Sequence, residues 1–364
     1  MRRHFLSDFD FAIFFATVLI CTISLINLYS ATLGGTAPYQ KFSSQVLWMI
    51  IGLVVMVLIP LVDYRILERF VYPIYAILIL LLIFVLLFGV VENGSRRWLN
   101  FGFMRLQPSE LMKIGIVLIF SKFFHEQSQS GGYGLRDLAI PFALLGFPLL
   151  LVLVQPDLGT ALLIGLVGVS LILFVKVKVK TLLMLIFLGA VSIPFAWGFV
   201  LKDYQKDRVL TFLTPERDPR GKGFHALQSR IAIGSGQFLG KGYRKGTQSQ
   251  LNFLPEQRTD FIFSVFAEEH GFKGSVVMLG LYLWLIFLGL RASRRAKDKF
   301  GALMAFGLTA IFFWHSFINI GMVTGILPIV GVTLPLMSYG GSSLLTSFIC
   351  IGILINISMR RFIF

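Results

Sequence analysis

Apolar residues run through this chain in long stretches, and polar residues are confined mostly to short intervals between them. Stretches near 9–30, 44–62, 70–91, 109–124, 137–154, 158–175, 180–200, 262–290, 301–321 and 337–358 each approach the roughly 20 apolar residues that a membrane-spanning helix needs. None sustains the period-2 alternation of barrel strands. Backbone groups inside lipid must satisfy one another, so the pattern predicts an all-α polytopic bundle of about ten transmembrane helices.

The polar intervals fall at 31–43, 63–69, 92–108, 121–136, 155–157, 176–180, 201–260, 291–300 and 322–336. The interval 201–260 is too long for a bare connection and predicts a lid or a site. The stretch 260–290, about 31 residues, exceeds one perpendicular crossing at roughly 1.5 Å per residue. Glu268, Glu269, His270 and Lys273 interrupt it beside Gly271 and Gly274. Residues 260–269 are therefore expected to lie at, or dip into, the outer face before the true span begins near Ser275; a strongly tilted helix is the alternative. No linker separates two cores, so residues 1–364 read as a single transmembrane domain with 201–260 as a large loop within it.

Composition agrees with this pattern. Of 364 residues, 56% are hydrophobic and 14% charged, against roughly 25% charged in soluble domains. Cys21 and Cys350 sit in apolar runs and read as small buried hydrophobes, with no metal spacing. The segment 10–26 could imitate a signal sequence but leads into further spans, so it reads as the first of them. A net charge of +15 would point a soluble protein toward nucleic acid. Here the basic residues sort by side instead. One alternate set of short loops holds Arg2, Arg3, Arg65, Arg69, Lys122, Arg136, Lys176, Lys178, Lys180, Arg291, Arg294, Arg295, Lys297, Lys299, Arg360 and Arg361. The other holds only Lys41, Arg96, Arg97 and Arg105. The bias predicts a multi-pass protein of the cytoplasmic (inner) membrane with both termini cytoplasmic and 201–260 outside, in contact with lipid and with no nucleic-acid partner.

Ionisable groups at span ends are the candidates for chemistry. Glu110 follows Gln107-Pro-Ser at the start of the fourth span, Asp157 follows Gln155-Pro at the start of the sixth, and Asp260 follows Arg258-Thr after the long loop. Each suits a helix's first turn as a plain cap. All three fall on the outer side, which points to one shared, outward-opening cavity. Lys113, one turn after Glu110, needs a carboxylate partner. The loop run Gly234-Ser-Gly-Gln-Phe-Leu-Gly-Lys-Gly-Tyr-Arg-Lys-Gly246 is no nucleotide-binding loop, lacking the Lys-Ser or Lys-Thr step. It could present backbone N–H groups and cations to an anion such as a lipid diphosphate; a flexible basic loop near anionic lipid is the plainer reading.

The run Leu251-Asn-Phe-Leu-Pro-Glu-Gln-Arg-Thr-Asp-Phe-Ile-Phe-Ser-Val-Phe-Ala-Glu-Glu-His-Gly271 resembles the signature of the shape, elongation, division and sporulation (SEDS) family of cell-wall polymerases. Arg97-Trp-Leu-Asn with Gln107-Pro-Ser-Glu-Leu-Met-Lys113, Gln155-Pro-Asp-Leu-Gly-Thr160, the stretch from Pro328 to Pro335 leading to Ser338-Tyr-Gly-Gly-Ser-Ser343, and Leu28-Tyr-Ser-Ala31 extend the likeness over essentially the whole chain. The resemblance implies a peptidoglycan glycosyltransferase that polymerises lipid II, a disaccharide-pentapeptide on undecaprenyl diphosphate, at the outer membrane face. It carries the essential aspartate over to Asp260, and implies supporting roles for Glu110, Lys113, Asp157 and Glu256. Many relatives have histidine where this chain has Arg258, which weakens any scheme needing that histidine. The chain length and the wording Gly321-Met-Val-Thr-Gly325 resemble the elongation branch, which implies a class B penicillin-binding protein as transpeptidase partner within the elongation machinery.

Joining two lipid-linked sugars requires the acceptor hydroxyl to lose a proton, so Asp260 is the expected general base. The leaving diphosphate needs positive charge, for which Arg97, Lys241, Arg244, Lys245 and Arg258 are candidates. A divalent cation, Mg2+ or Mn2+, held at Asp260 is another way to supply it; no nucleotide is called for. A lipid II flippase, a division-type polymerase and a non-catalytic scaffold for wall enzymes are the competing readings. A flippase should place its ionisable groups at the bilayer midplane, whereas these cluster at outer helix ends.

Overall fold

The computed structural model describes residues 8–32, 38–92, 95–100, 102, 105–129, 131–200, 203–214, 222–251, 253 and 256–360. Helices form where the apolar stretches predict them: α1 Phe11–Thr32, α2 Pro38–Leu58, α3 Tyr64–Phe88, α4 Pro108–Glu126, α5 Ala139–Val154, α6 Leu158–Phe174, α7 Val179–Phe195, and, beyond the long loop, a helix at Ile262–Arg295 and others at Lys299–Thr324 and Gly341–Met359. The loop itself carries α8 Asp203–Leu213, α9 Lys222–Ser235 and the single turn α10 Thr247–Gln250, so the last three helices are α11, α12 and α13. The interval after α3 folds into a small antiparallel sheet, β1 Val90–Glu92, β2 Ser95–Asn100 and β3 Arg105–Leu106, in that order. These strands are too short to show alternation, which is why the hydropathy pattern missed them.

Seven of the helices among the described residues are long and apolar enough to cross a membrane. The expected ten is not reached by that measure, for two physical reasons. α5 and α6 have 16 and 17 residues, about 24–26 Å of helix. α4 carries Glu110, Lys113, Lys122 and Glu126. Yet α4 is the most enclosed of the three, buried along nearly its whole length and packed against α3, α5, α6, α12 and α13. Small residues permit this closeness: a β-carbon on Gly307 of α12 would come 2.7 Å from Val117 Cγ1 of α4, the small-residue packing typical of membrane helices.

The basic connections meet at one end of the bundle. Asp298, N-cap of α12, accepts from Tyr64 at 2.5 Å. Arg360 reaches Asp63 at 3.1 Å, and Lys299 donates to Ser128 at 2.9 Å. The Tyr133 N–H donates to the Lys176 carbonyl at 2.9 Å, and the Lys178 N–H returns to Tyr133 at 3.1 Å.

α11 breaks at Gly271, whose backbone (φ 65°, ψ −162°) is not helical. The segment before the break is enclosed by protein, with Ile262 through Glu269 all buried; it dips into the bundle and does not lie on the surface. A helix break orphans backbone groups on both sides, and the glycine-rich loop satisfies them. Lys241 and Gly242 N–H donate to the Glu268 and Glu269 carbonyls, each at 3.0 Å, while Phe272 and Lys273 N–H donate to Gln237 and Phe238 carbonyls at 2.8 and 3.1 Å. Gly240 and Gly271 pass in direct backbone contact, leaving no room for a β-carbon on either. This narrows the expected anion cradle at 234–246: at Lys241 and Gly242 the loop's N–H groups are spent on the helix break, and Gly240 permits the close approach.

Candidate functional site

The segment Val330 to Pro335, between α12 and α13, is where the outer-end residues come together. Its carbonyls are taken one by one. Asn319 Nδ2 donates to the Val332 carbonyl at 2.7 Å, His315 Nδ1 lies 3.0 Å from the Thr333 carbonyl, and the Tyr282 hydroxyl donates to the Pro335 carbonyl at 2.6 Å. Gly331 takes the left-handed conformation (φ 75°).

Asp260 stands in the turn 256–261 that leads into α11. The turn closes through Thr259 N–H and Phe261 N–H to the Glu256 carbonyl, both 3.2 Å, and Thr259 Oγ1 donates to the Glu256 carboxylate at 3.1 Å. Ser338 Oγ donates to the Thr259 carbonyl at 2.6 Å, Tyr339 N–H to the Arg258 carbonyl at 2.8 Å, and Asn319 Nδ2 to the Asp260 carbonyl at 2.9 Å. The half-buried Asp260 carboxylate faces Gly331, where an added β-carbon would sit 3.4 Å from Oδ2.

Lys113 and Glu110 form a buried ion pair at 2.8 Å on α4, and Lys113 Nζ lies 2.5 Å from His315 Nε2. Glu110 and Lys113 line a small cavity with His315, Pro335, Ser343, Thr346, Ser347 and Cys350. Asp260 and Asp157 are not among the residues that line it; they approach the segment 330–335 from other sides. Asp157 approaches through α6: a β-carbon on Gly159 would come 2.8 Å from the Val330 carbonyl and 3.2 Å from that of Gly331. Its carboxylate is occupied, accepting from Thr160 N at 3.3 Å, Thr160 Oγ1 at 2.9 Å and Gln107 Nε2 at 2.8 Å. That is a helix cap with an added strut to the start of α4.

The proposed diphosphate ligands divide into two groups. Arg97 lies 3.7 Å from the Asp157 carboxylate. Lys241 is paired at 2.7 Å with Glu268, which also accepts from Thr247 Oγ1 at 3.1 Å and Gln248 N at 3.0 Å. These two cations already neutralise buried carboxylates. Arg258 reaches the Thr32 carbonyl at 3.4 Å. Arg244 and Lys245 are exposed, Arg244 lying over the Tyr29 ring with its guanidinium 5.9 Å from the centroid. Partial burial, then the neighbouring Glu269, raises the Tyr243 phenol above its ordinary pKa, so it stays a neutral donor in the basic loop. Among the described residues no three His, Cys, Asp or Glu side chains gather as a metal cage.

Sequence reasoning missed His315 and Asn319. A histidine and an asparagine inside an apolar span are the signal that could have found them.

Residues 7–362 match the model of the FtsW/RodA/SpoVE family, described as cell cycle protein. The chain is 42% identical over 348 residues to the peptidoglycan glycosyltransferase MrdB of Escherichia coli (strain K12), covering 95% of this chain and 93% of the relative. It is 33% identical over 435 residues to the peptidoglycan glycosyltransferase RodA of Treponema pallidum (strain Nichols), covering 99% and 100%. It is 35% identical over 358 residues to the stage V sporulation protein E of Bacillus subtilis (strain 168), covering 96% of each. A solved chain from a peptidoglycan synthase complex that coordinates polymerization and crosslinking superposes with a TM-score of 0.83 at 30% identity, covering 98% of this chain and 99% of that one. The rod shape determining protein RodA of Thermus thermophilus gives 0.72 at 27%, covering 97% and 98%.

Proposed function

From its membership of the FtsW/RodA/SpoVE cell cycle protein family, to which the chain belongs over nearly its whole length, we propose that this membrane-embedded peptidoglycan glycosyltransferase uses Asp260 as the general base in polymerising lipid II. The enzyme is of the elongation, rod-shape type. The acceptor sugar hydroxyl gives its proton to the Asp260 carboxylate as its oxygen bonds to the donor's anomeric carbon. The bond from that carbon to the diphosphate breaks, and the diphosphate leaves with the electron pair. The product is a glycan strand extended by β-1,4 linkage. The observation that carries the assignment is the placement of Asp260: its backbone is fixed by Asn319 and its carboxylate faces Gly331, on the segment to which Lys113 is tied through His315.

Lys113 with Glu110 gives a fixed electrostatic support, and Asp157 anchors α6 and α4. Arg244, Lys245 and Arg258 are the cations left to meet the diphosphate. A divalent cation, Mg2+ or Mn2+, would be held at Asp260, since magnesium commonly binds through one or two carboxylates, and would supply positive charge to the leaving diphosphate. A class B penicillin-binding protein is the crosslinking partner; the likeness to a chain of a polymerising and crosslinking complex supports this. Ten crossings, with both termini cytoplasmic and the active face outside, complete the reading.

The test is Asp260→Asn in a purified complex with the transpeptidase, supplied with labelled lipid II. The amide keeps shape and hydrogen-bonding reach but cannot take the proton, so polymerisation should fall about 10²–10⁴-fold while the protein stays monodisperse. Near-normal glycan ladders from the folded variant would overturn the assignment. Movement of lipid II across the bilayer without polymer would favour the flippase.

A further inference from the structure

His315 and Asn319 are one turn apart on α12 and share a face. Between them they make four contacts, with Asp260, Val332, Thr333 and Lys113. Asn319 must turn its Nδ2 toward the Asp260 and Val332 carbonyls, because both partners are acceptors. Both amide hydrogens are thereby used, and Oδ1 is left buried without a protein partner. The same chemistry fixes the histidine. The Thr333 carbonyl accepts only, so Nδ1 carries the hydrogen, and Nε2 presents its lone pair to the Lys113 ammonium 2.5 Å away.

We propose that His315 and Asn319 are positioning residues of the glycosyltransferase, a clamp that holds the 332–333 backbone and thereby fixes the Asp260 turn relative to the Lys113–Glu110 pair. The inference rests on Asp260 being the reacting carboxylate. Three chain segments far apart in sequence, α4, the turn 256–261 and the segment 330–335, have to hold one geometry while two large lipid-linked substrates enter. Backbone carbonyls cannot do this alone, since they only accept. The clamp supplies the donors: Asn319 joins Asp260 to Val332, and His315 joins Thr333 to Lys113. It also directs the lysine. With one N–H on Glu110 and one on His315, the third ammonium hydrogen is left to the cavity lined by Ser343, Thr346 and Ser347.

The test compares His315→Leu, which removes the donor at similar volume, and Asn319→Leu, which removes it while keeping the branched shape, with His315→Gln, whose amide can still donate to Thr333 and accept from Lys113. Misplacing a reacting group by about 1 Å costs up to roughly 10²-fold in rate. Both leucine variants should therefore lose about 10–100-fold in kcat with little change in KM for lipid II, and His315→Gln should recover most of that loss. Folded leucine variants with normal kcat, or His315→Gln as poor as His315→Leu, overturn the proposal. A measurement on the unmutated protein covers variants that fail to fold: 15N-histidine spectra at neutral pH must show His315 as the Nδ1–H tautomer, its signal assigned by loss in His315→Gln or, should that variant not fold, with the other histidines replaced. An Nε2–H or protonated ring overturns it. Normal ladders from Asp260→Asn bring down the reading beneath the proposal. A normal kcat in Asn319→Leu beside an inactive Asp260→Asn brings down the clamp alone.

Discussion

Lys113 and Lys241 show how a cation's surroundings decide its use. Lys113 is 1% exposed and faces a carboxylate 8% exposed, so removing either partner leaves a buried charge unpaired. Breaking such a pair costs about 3–5 kcal/mol. Lys113→Met should accordingly lower the thermal unfolding midpoint in detergent, and Lys113→Met with Glu110→Gln should regain much of the loss. An additive double variant would refute the coupling. Lys241 neutralises Glu268, which is 0% exposed, so Lys241→Met should also lower the midpoint. Lys245→Ala, at an exposed position, should leave the midpoint unchanged and raise KM for lipid II. Equal midpoints for the two variants would return Lys241 to the diphosphate. The sequence could mark both lysines as candidates, because charge beside glycine or in an apolar run is visible there. It could not show that Glu268, 27 residues away, consumes one of them.

Among elements, α11 was the most legible and its environment the least. Its excess length and the cluster of polar residues near Gly271 mark 260–269 as distinct from the span beyond it, and the break falls at Gly271 between them. What the pattern could not reveal was that the glycine-rich loop would supply the missing hydrogen bonds, since that pairing joins backbone groups and leaves no side-chain signature. Gly271→Ala tests the arrangement. The residue's φ and ψ belong to a region essentially restricted to glycine, costing other residues about 1–3 kcal/mol, and the Gly240 backbone occupies the space a methyl would need. The variant should lose the docking of residues 236–246, seen as faster amide exchange at Lys241, Gly242, Phe272 and Lys273, with α12 and α13 unaffected. Unchanged protection at those four amides would mean that the loop does not depend on the break.

For the whole molecule, the hydrogen bonds gather at one end of the bundle the connections that the charge bias assigns to one side. The bias assigns loops to sides by counting lysines and arginines. The structure brings connections 63–65, 128–137, 176–178 and 298–299, with Arg360, together at one end, through contacts between Tyr64 and Asp298, Arg360 and Asp63, Lys299 and Ser128, and Tyr133 and Lys176. At the other end Gln107 meets Asp157, and Asp260 meets the segment 330–335. α5 and α6 therefore run from one of these ends toward the other and back, although at 16 and 17 residues they are shorter than a full span. Cys21 and Cys350 are both buried, so single cysteines introduced at exposed sites report alone. In intact cells a membrane-impermeant maleimide should label Lys245→Cys, and should label Lys178→Cys and Lys297→Cys only after permeabilisation. External labelling at Lys297→Cys would invert the end that holds the basic loops. Labelling of Lys178→Cys without Lys297→Cys would break the pairing of ends, and with it the proposed ten-crossing path with Asp260 on the outer face.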